Sequence, residues 1–154
     1  MKQLALLFWL FGIGLAQAQN GPGPIPVASG TGYPANAQFI LNGYSAANTS
    51  NLSLLLYATP GKVNFVCGII ISGLGATALT NVVASVGALS GNNYLTVNYT
   101  YPAGVTVTAT PVIVNFNPCL PGLQSNSGIT LGVPGAAGNT SIVASIWGYQ
   151  LTAP

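Results

Sequence analysis

No aspartate, glutamate, histidine or arginine occurs anywhere in this 154-residue chain, and Lys2 and Lys62 are its only charged side chains. A soluble domain ordinarily carries about a quarter charged residues, so polarity here must come from Asn, Thr, Ser, Gln, tyrosine hydroxyls and exposed backbone. Without a basic patch, neither nucleic acid nor anionic lipid headgroups can be held by neutralising their phosphates. Without carboxylates or imidazoles, almost nothing titrates between roughly pH 4 and pH 8. Folding and assembly are therefore expected to be flat across that window and insensitive to salt. A nearly neutral surface also gives little colloidal repulsion, which suits a subunit packed among copies of itself.

The same shortage bears on chemistry. Two cysteines without His, Asp or Glu cannot supply the ligands of a zinc site, and calcium would find only carbonyls and side-chain amides. A nucleophilic serine needs a base, and the sole candidate, Lys62, opens an apolar run where a lysine more simply blunts strand pairing. The GLGAT stretch at 73–77 lacks the GK[ST] ending of a phosphate-binding loop and is read as a turn. No enzyme activity, metal or cofactor is expected.

What is present begins with a leader. Lys2, the apolar run Leu4 to Leu15 and Ala16-Gln17-Ala18 have the three parts of a secretory signal peptide over residues 1–18. The run is shorter than the ~20 residues that span a bilayer, which disfavours the alternative of a membrane anchor. Cleavage after Ala18 would leave a chain starting at Gln19, exported to the periplasm, the exterior or the cell surface, with no membrane attachment. Asn20 to Ala37 holds four prolines and four glycines without apolar periodicity, so residues 19–37 are read as an extended arm. Residues 38–154 form the domain.

Within that domain, strand signals follow one another at short spacing with no helical segment. They fall near Gln38–Leu41, Leu52–Ala58, Lys62–Ser72, Thr80–Leu89, Tyr94–Tyr101, Val105–Phe116, Gly128–Val133 and Ser141–Leu151, with turn residues between them. Lys62 to Gly73, KVNFVCGIIISG, is the most apolar run outside the N-terminus and is read as a central strand, with Val63, Phe65, Cys67, Ile69 and Ile71 on one face. In Leu95 to Tyr101 the set Leu95, Val97, Tyr99 and Tyr101 alternates with Thr96, Asn98 and Thr100. Pro111 interrupts the next run and marks an edge or a bend. The fold class is all-β: a two-layer antiparallel β-sandwich of about eight strands, jelly-roll or immunoglobulin-like, with a closed barrel as second choice.

In an exported chain two cysteines most simply form one disulfide, Cys67 to Cys119; the alternative is two separate buried thiols. Closing a loop of about 50 residues is worth ~4 kcal/mol on the chain-entropy model. Tyr94, Tyr99, Tyr101, Trp147 and Tyr149 are the candidate ligand or interface aromatics: a sugar-stacking platform on one reading, core or subunit-interface packing on the other. Asn48, Asn51, Asn98 and Asn139 head N-x-[ST] sequons.

From Pro60 onward the order of motifs has a family likeness. GK and an apolar strand, GLGAT, a strand ending in Leu-Ser-Gly, YLTVNYTYPAG, TPVIVNFNPCLPG, another apolar strand, PGAAGNTS and WGYQ together resemble small β-sandwich proteins of tailed phages and prophages. Those proteins are generally taken as virion structural or decoration proteins, so the resemblance implies a virion location. The expected function is a non-enzymatic, self-associating structural protein, a virion decoration or surface-assembly subunit that forms a homo-oligomer, lattice or filament. The alternative is an extracellular glycan-binding or adhesive module.

Overall fold

The computed structural model describes residues 33–46, 51–139 and 141–153. The signal-peptide segment, most of the arm and the sequon at Asn48 lie outside them. Eight strands follow in order: β1 (Gln38–Ala46), β2 (Leu52–Leu56), β3 (Lys62–Gly73), β4 (Thr80–Leu89), β5 (Asn93–Tyr101), β6 (Val112–Pro121), β7 (Ile129–Val133) and β8 (Ile142–Thr152). A single 3-10 turn, Ser90–Asn92, joins β4 to β5.

The strands form two four-stranded antiparallel sheets, ordered β1-β8-β3-β6 and β2-β7-β4-β5. Strand 1 pairs with 8, 2 with 7, 3 with 6 and 4 with 5, which is a long antiparallel ribbon wound on itself. That pairing is the eight-stranded jelly roll; the immunoglobulin-like arrangement and the closed barrel do not have it.

Alternation builds the core between the sheets. Leu52, Leu54 and Leu56 of β2, Ile129, Leu131 and Val133 of β7, and Ala84 and Val86 of β4 face Ile69 and Ile71 of β3 and Ile142, Ala144 and Ile146 of β8, all buried. The alternation in β5 holds as the sequence reads it: Tyr99 and Tyr101 are buried and Leu95 and Val97 pack against the core, while Thr96, Asn98 and Thr100 are exposed.

The central strand corrects the expected face. β3 lies inside its sheet, between β8 and β6, but its register shifts between Val66 and Gly68. One extra residue in a strand with period two exchanges its faces. Asn64 and Val66 therefore point inward before the bulge and Ile69 and Ile71 after it, whereas Phe65 is only half-buried on the outer face. The buried Asn64 is satisfied: its Nδ2 donates to the carbonyl of Leu56 at 3.0 Å, and its Oδ1 accepts from Gln150 Nε2 at 2.8 Å. Gln150 Nε2 also donates to the carbonyl of Tyr57 at 2.9 Å, which ties the end of β2 to the opposite sheet.

The second correction concerns residues 105–121. The Val/Thr alternation from Val105 to Ala109 is not part of a long strand, and NPCLPG is not a turn; β6 starts at Val112 and runs through Pro121. Pro111 has no N–H for a ladder, so the strand begins just after it. The preceding loop bonds instead to the segment after β3, with Gly75 N donating to Val107 O at 2.7 Å and Ala109 N to Gly73 O at 2.9 Å. β6 is an edge strand.

Cys67 and Cys119 are joined in a disulfide that links adjacent strands β3 and β6 at the point where both leave regular register. On the β6 side the pairing jumps from Leu120 to Asn115.

Candidate functional site: the aromatic outer face

The outer face of the β1-β8-β3-β6 sheet brings together Tyr33, Phe39, Phe65, Trp147 and Tyr149, of which Phe39 is exposed and the others half-buried, while the exposed Tyr57 and Tyr94 lie elsewhere. In β8, Ile142, Ala144, Ile146, Gly148 and Gln150 are buried, so period two turns Val143, Ser145, Trp147 and Tyr149 outward. Register then places Phe39 of β1 and Phe65 of β3 on either side of Tyr149, and Leu41 and Gly68 on either side of Trp147. The bulge at Cys67 is what brings Phe65 to this side.

The rings touch. Phe65 stacks on Tyr149 with centroids 4.9 Å apart and planes at 11°. Tyr33, just before β1, meets Tyr149 edge-on at 5.5 Å and Phe39 at 6.3 Å. Such pairs contribute about 0.5–1.5 kcal/mol each beyond area burial. Trp147 lies on the bare backbone of Gly68: a Cβ there would sit 2.3 Å from Trp147 Cζ2. Burial, and secondarily the neighbouring Tyr33, push the Tyr149 hydroxyl above its ordinary pKa. Around this cluster Phe39, Leu41 and Ile113 remain exposed by 56%, 63% and 60%, values that leave large apolar side chains facing water.

The five candidate aromatics do not come together. Trp147 and Tyr149 share this face. Tyr99 and Tyr101 are in the core, packed edge-to-face at 4.9 Å, where they cannot stack on a ligand. The Tyr101 hydroxyl donates to the carbonyl of Pro134 at 2.9 Å, and burial, with Tyr99 as a lesser cause, pushes it up to about 12. Tyr99 Oη is buried with no hydrogen-bond partner among the described residues. Tyr94 is exposed on the other sheet. Sequence reasoning overlooked Tyr33, Phe39 and Phe65; Phe39 was accessible from the predicted first strand, while Phe65 was hidden by the bulge.

Of the remaining candidates, Lys62 donates its ammonium to Gln38 Oε1. Asn98 is exposed, Asn51 is exposed but accepts from Gly135 N at 3.1 Å, and Asn139 is buried with its Nδ2 donating to Leu74 O. Asn139 is thus closed to glycosylation in the folded domain. Two shallow clefts, of about 320 and 330 Å³, open beside β5; the first is lined by Asn98, Thr100, Thr108 and Thr110, and the second is mostly apolar around Leu89, Tyr94 and Leu120.

No family model, no curated protein and no solved structure matches the chain. The arrangement itself offers apolar area, ring faces and neutral hydrogen-bonding groups, so its chemistry is that of desolvation and shape.

Proposed function

We propose that the chain is a non-enzymatic structural subunit that assembles with copies of itself, as a virion decoration or surface-assembly component. The observation that carries this reading is the neutral surface: Lys62 is the one charged side chain among the described residues, and its ammonium is engaged by Gln38. Elsewhere the exposed polar positions are Thr, Ser, Asn and Gln, which can pack against their own kind without like-charge repulsion. The jelly roll adds support, since viral capsid and lectin domains use it, though a fold by itself names no function. The disulfide, and the lack among the described residues of any helix long and apolar enough to cross a membrane, are compatible with export.

Glycan binding draws less support from the geometry. Tyr149 already has one ring face stacked on Phe65 and Tyr33 edge-on beside it, and Trp147 lies against the backbone of Gly68, which leaves less ring surface for a sugar than an open platform would have.

Light scattering with negative-stain imaging tests the proposal. A closed oligomer or regular filament is the expected result; a monodisperse monomer at all concentrations would overturn it.

A further inference from the structure

Resting on the self-association reading, and deepening it, we infer that the contact surface is the outer face of the β1-β8-β3-β6 sheet, laid against the same face of a second copy about a two-fold axis. The two outer faces of the sandwich differ. On the β2-β7-β4-β5 sheet the outward positions are mainly Ser53, Thr130, Ser85, Thr96, Asn98 and Thr100, and the apolar side chains among them, Leu55, Val83 and Tyr94, are spread over three strands. On the other sheet, Leu41 and Ile113 stand exposed on the two edge strands, with Trp147 between them on β8. Folding does not need those side chains outside, because the core is already filled from the inner faces.

Size and charge both suit a second copy. Four strands at about 4.8 Å and nine residues at about 3.3 Å make a face of roughly 19 by 30 Å. Two such faces joined remove roughly 1,100 Å² from water, just above the ~1,000 Å² a specific interface must clear. No charge is desolvated, since Lys62 has the inward parity of Asn64 and Val66 and lies at the strand end. An isologous pairing also sets each copy's apolar face against an equally apolar one.

The test measures association of the purified full chain, carrying Trp9→Phe so that Trp147 is its one tryptophan, by light scattering across a dilution series, with Trp147 fluorescence as a local reporter. Leu41→Asn with Ile113→Asn is expected to weaken association by about 100-fold or more and to red-shift Trp147 emission at concentrations where the wild type is associated. Val83→Asn, on the other outer face, is expected to change neither. Far-UV circular dichroism checks folding, and Ile113→Thr alone, a β-branched replacement on an edge strand, gives a smaller shift in the same direction should the double variant unfold. An oligomer indifferent to these changes overturns the face assignment and leaves the self-association reading standing. A wild type that is monomeric throughout overturns both. A monomer that associates only after deletion of residues 20–32 would mean that the chain's own arm covers the face, which also overturns the proposal.

Discussion

The outer side of the β1-β8-β3-β6 sheet presents Phe39, Leu41, Trp147, Tyr149, Phe65 and Ile113, while the outer side of the β2-β7-β4-β5 sheet presents mainly Ser, Thr and Asn, with Val83 and Tyr94 exposed well apart from each other and Leu55 half-buried. Both sheets use the same device inward, alternate apolar residues that fill one shared core. They differ in what alternation leaves on the other side. Scattered exposed apolar side chains are unremarkable on any soluble protein; a set of large apolar groups gathered on one sheet is the feature on which the proposed contact rests. The apolar sheet is also the one stitched by Cys67–Cys119, at its bulge, whereas the polar sheet has no covalent tie.

That contrast sets the order of expected effects. Replacing both cysteines by alanine removes a link spanning 52 residues and is expected to cost ~4 kcal/mol. Denaturant titration would show it as a lower midpoint. A loss under 1 kcal/mol would mean that β3 and β6 hold their irregular register without the bond.

Glycines on the two outer faces come next. Gly68→Ala places a Cβ 2.3 Å from Trp147 Cζ2 and 2.7 Å from Val114 O, and is expected to destabilise by about 1–3 kcal/mol, as overpacking does. Gly132→Ala meets Ser85 Oγ at 3.3 Å, a side-chain atom that can turn away, and the Ser85 carbonyl oxygen at 4.0 Å, so its effect should stay within about 0.5 kcal/mol. Equal thermal shifts in the two variants would erase the distinction between a packed aromatic face and an open polar one.

The two core tyrosines sharpen the comparison from inside the polar sheet. Tyr101→Phe gives up the bond to Pro134 O and should cost about 1 kcal/mol, while Tyr99→Phe removes a hydroxyl with no partner among the described residues and should be neutral or slightly stabilising. Reversed signs in chemical denaturation would show that the Tyr99 hydroxyl is engaged.

The smallest effect is expected from pH between about 4 and 8. Thermal midpoints should be level from about pH 4 to about pH 8, because no carboxylate or imidazole titrates there. The folded-state value of Tyr101 is raised from 10.0 to about 12, so its contribution is complete below pH 10. It is then lost between pH 10 and about 12, as the unfolded chain ionises first. A midpoint that dropped on acidification to pH 4 would contradict this account.

Composition and period were enough to determine the class of this protein. The near-absence of charge, the eight runs of strand-forming residues and the strict alternation in Leu95 to Tyr101 act locally, through side-chain chemistry and backbone pleat, and each can be read one segment at a time. The long apolar run at Lys62 was correctly an interior strand for the same reason. What only the tertiary structure decided depends on pairing between distant segments. The bulge at Cys67 exchanged the faces of β3, sending Phe65 outward and Asn64 inward to Gln150, 86 residues away. The loop before Pro111 found its hydrogen bonds on the segment after β3 and took the Val/Thr alternation out of β6. The aromatic face itself exists only because β1, β8 and β3 lie side by side, and strand order is set by the whole ribbon closing over one core, a condition that no single segment carries.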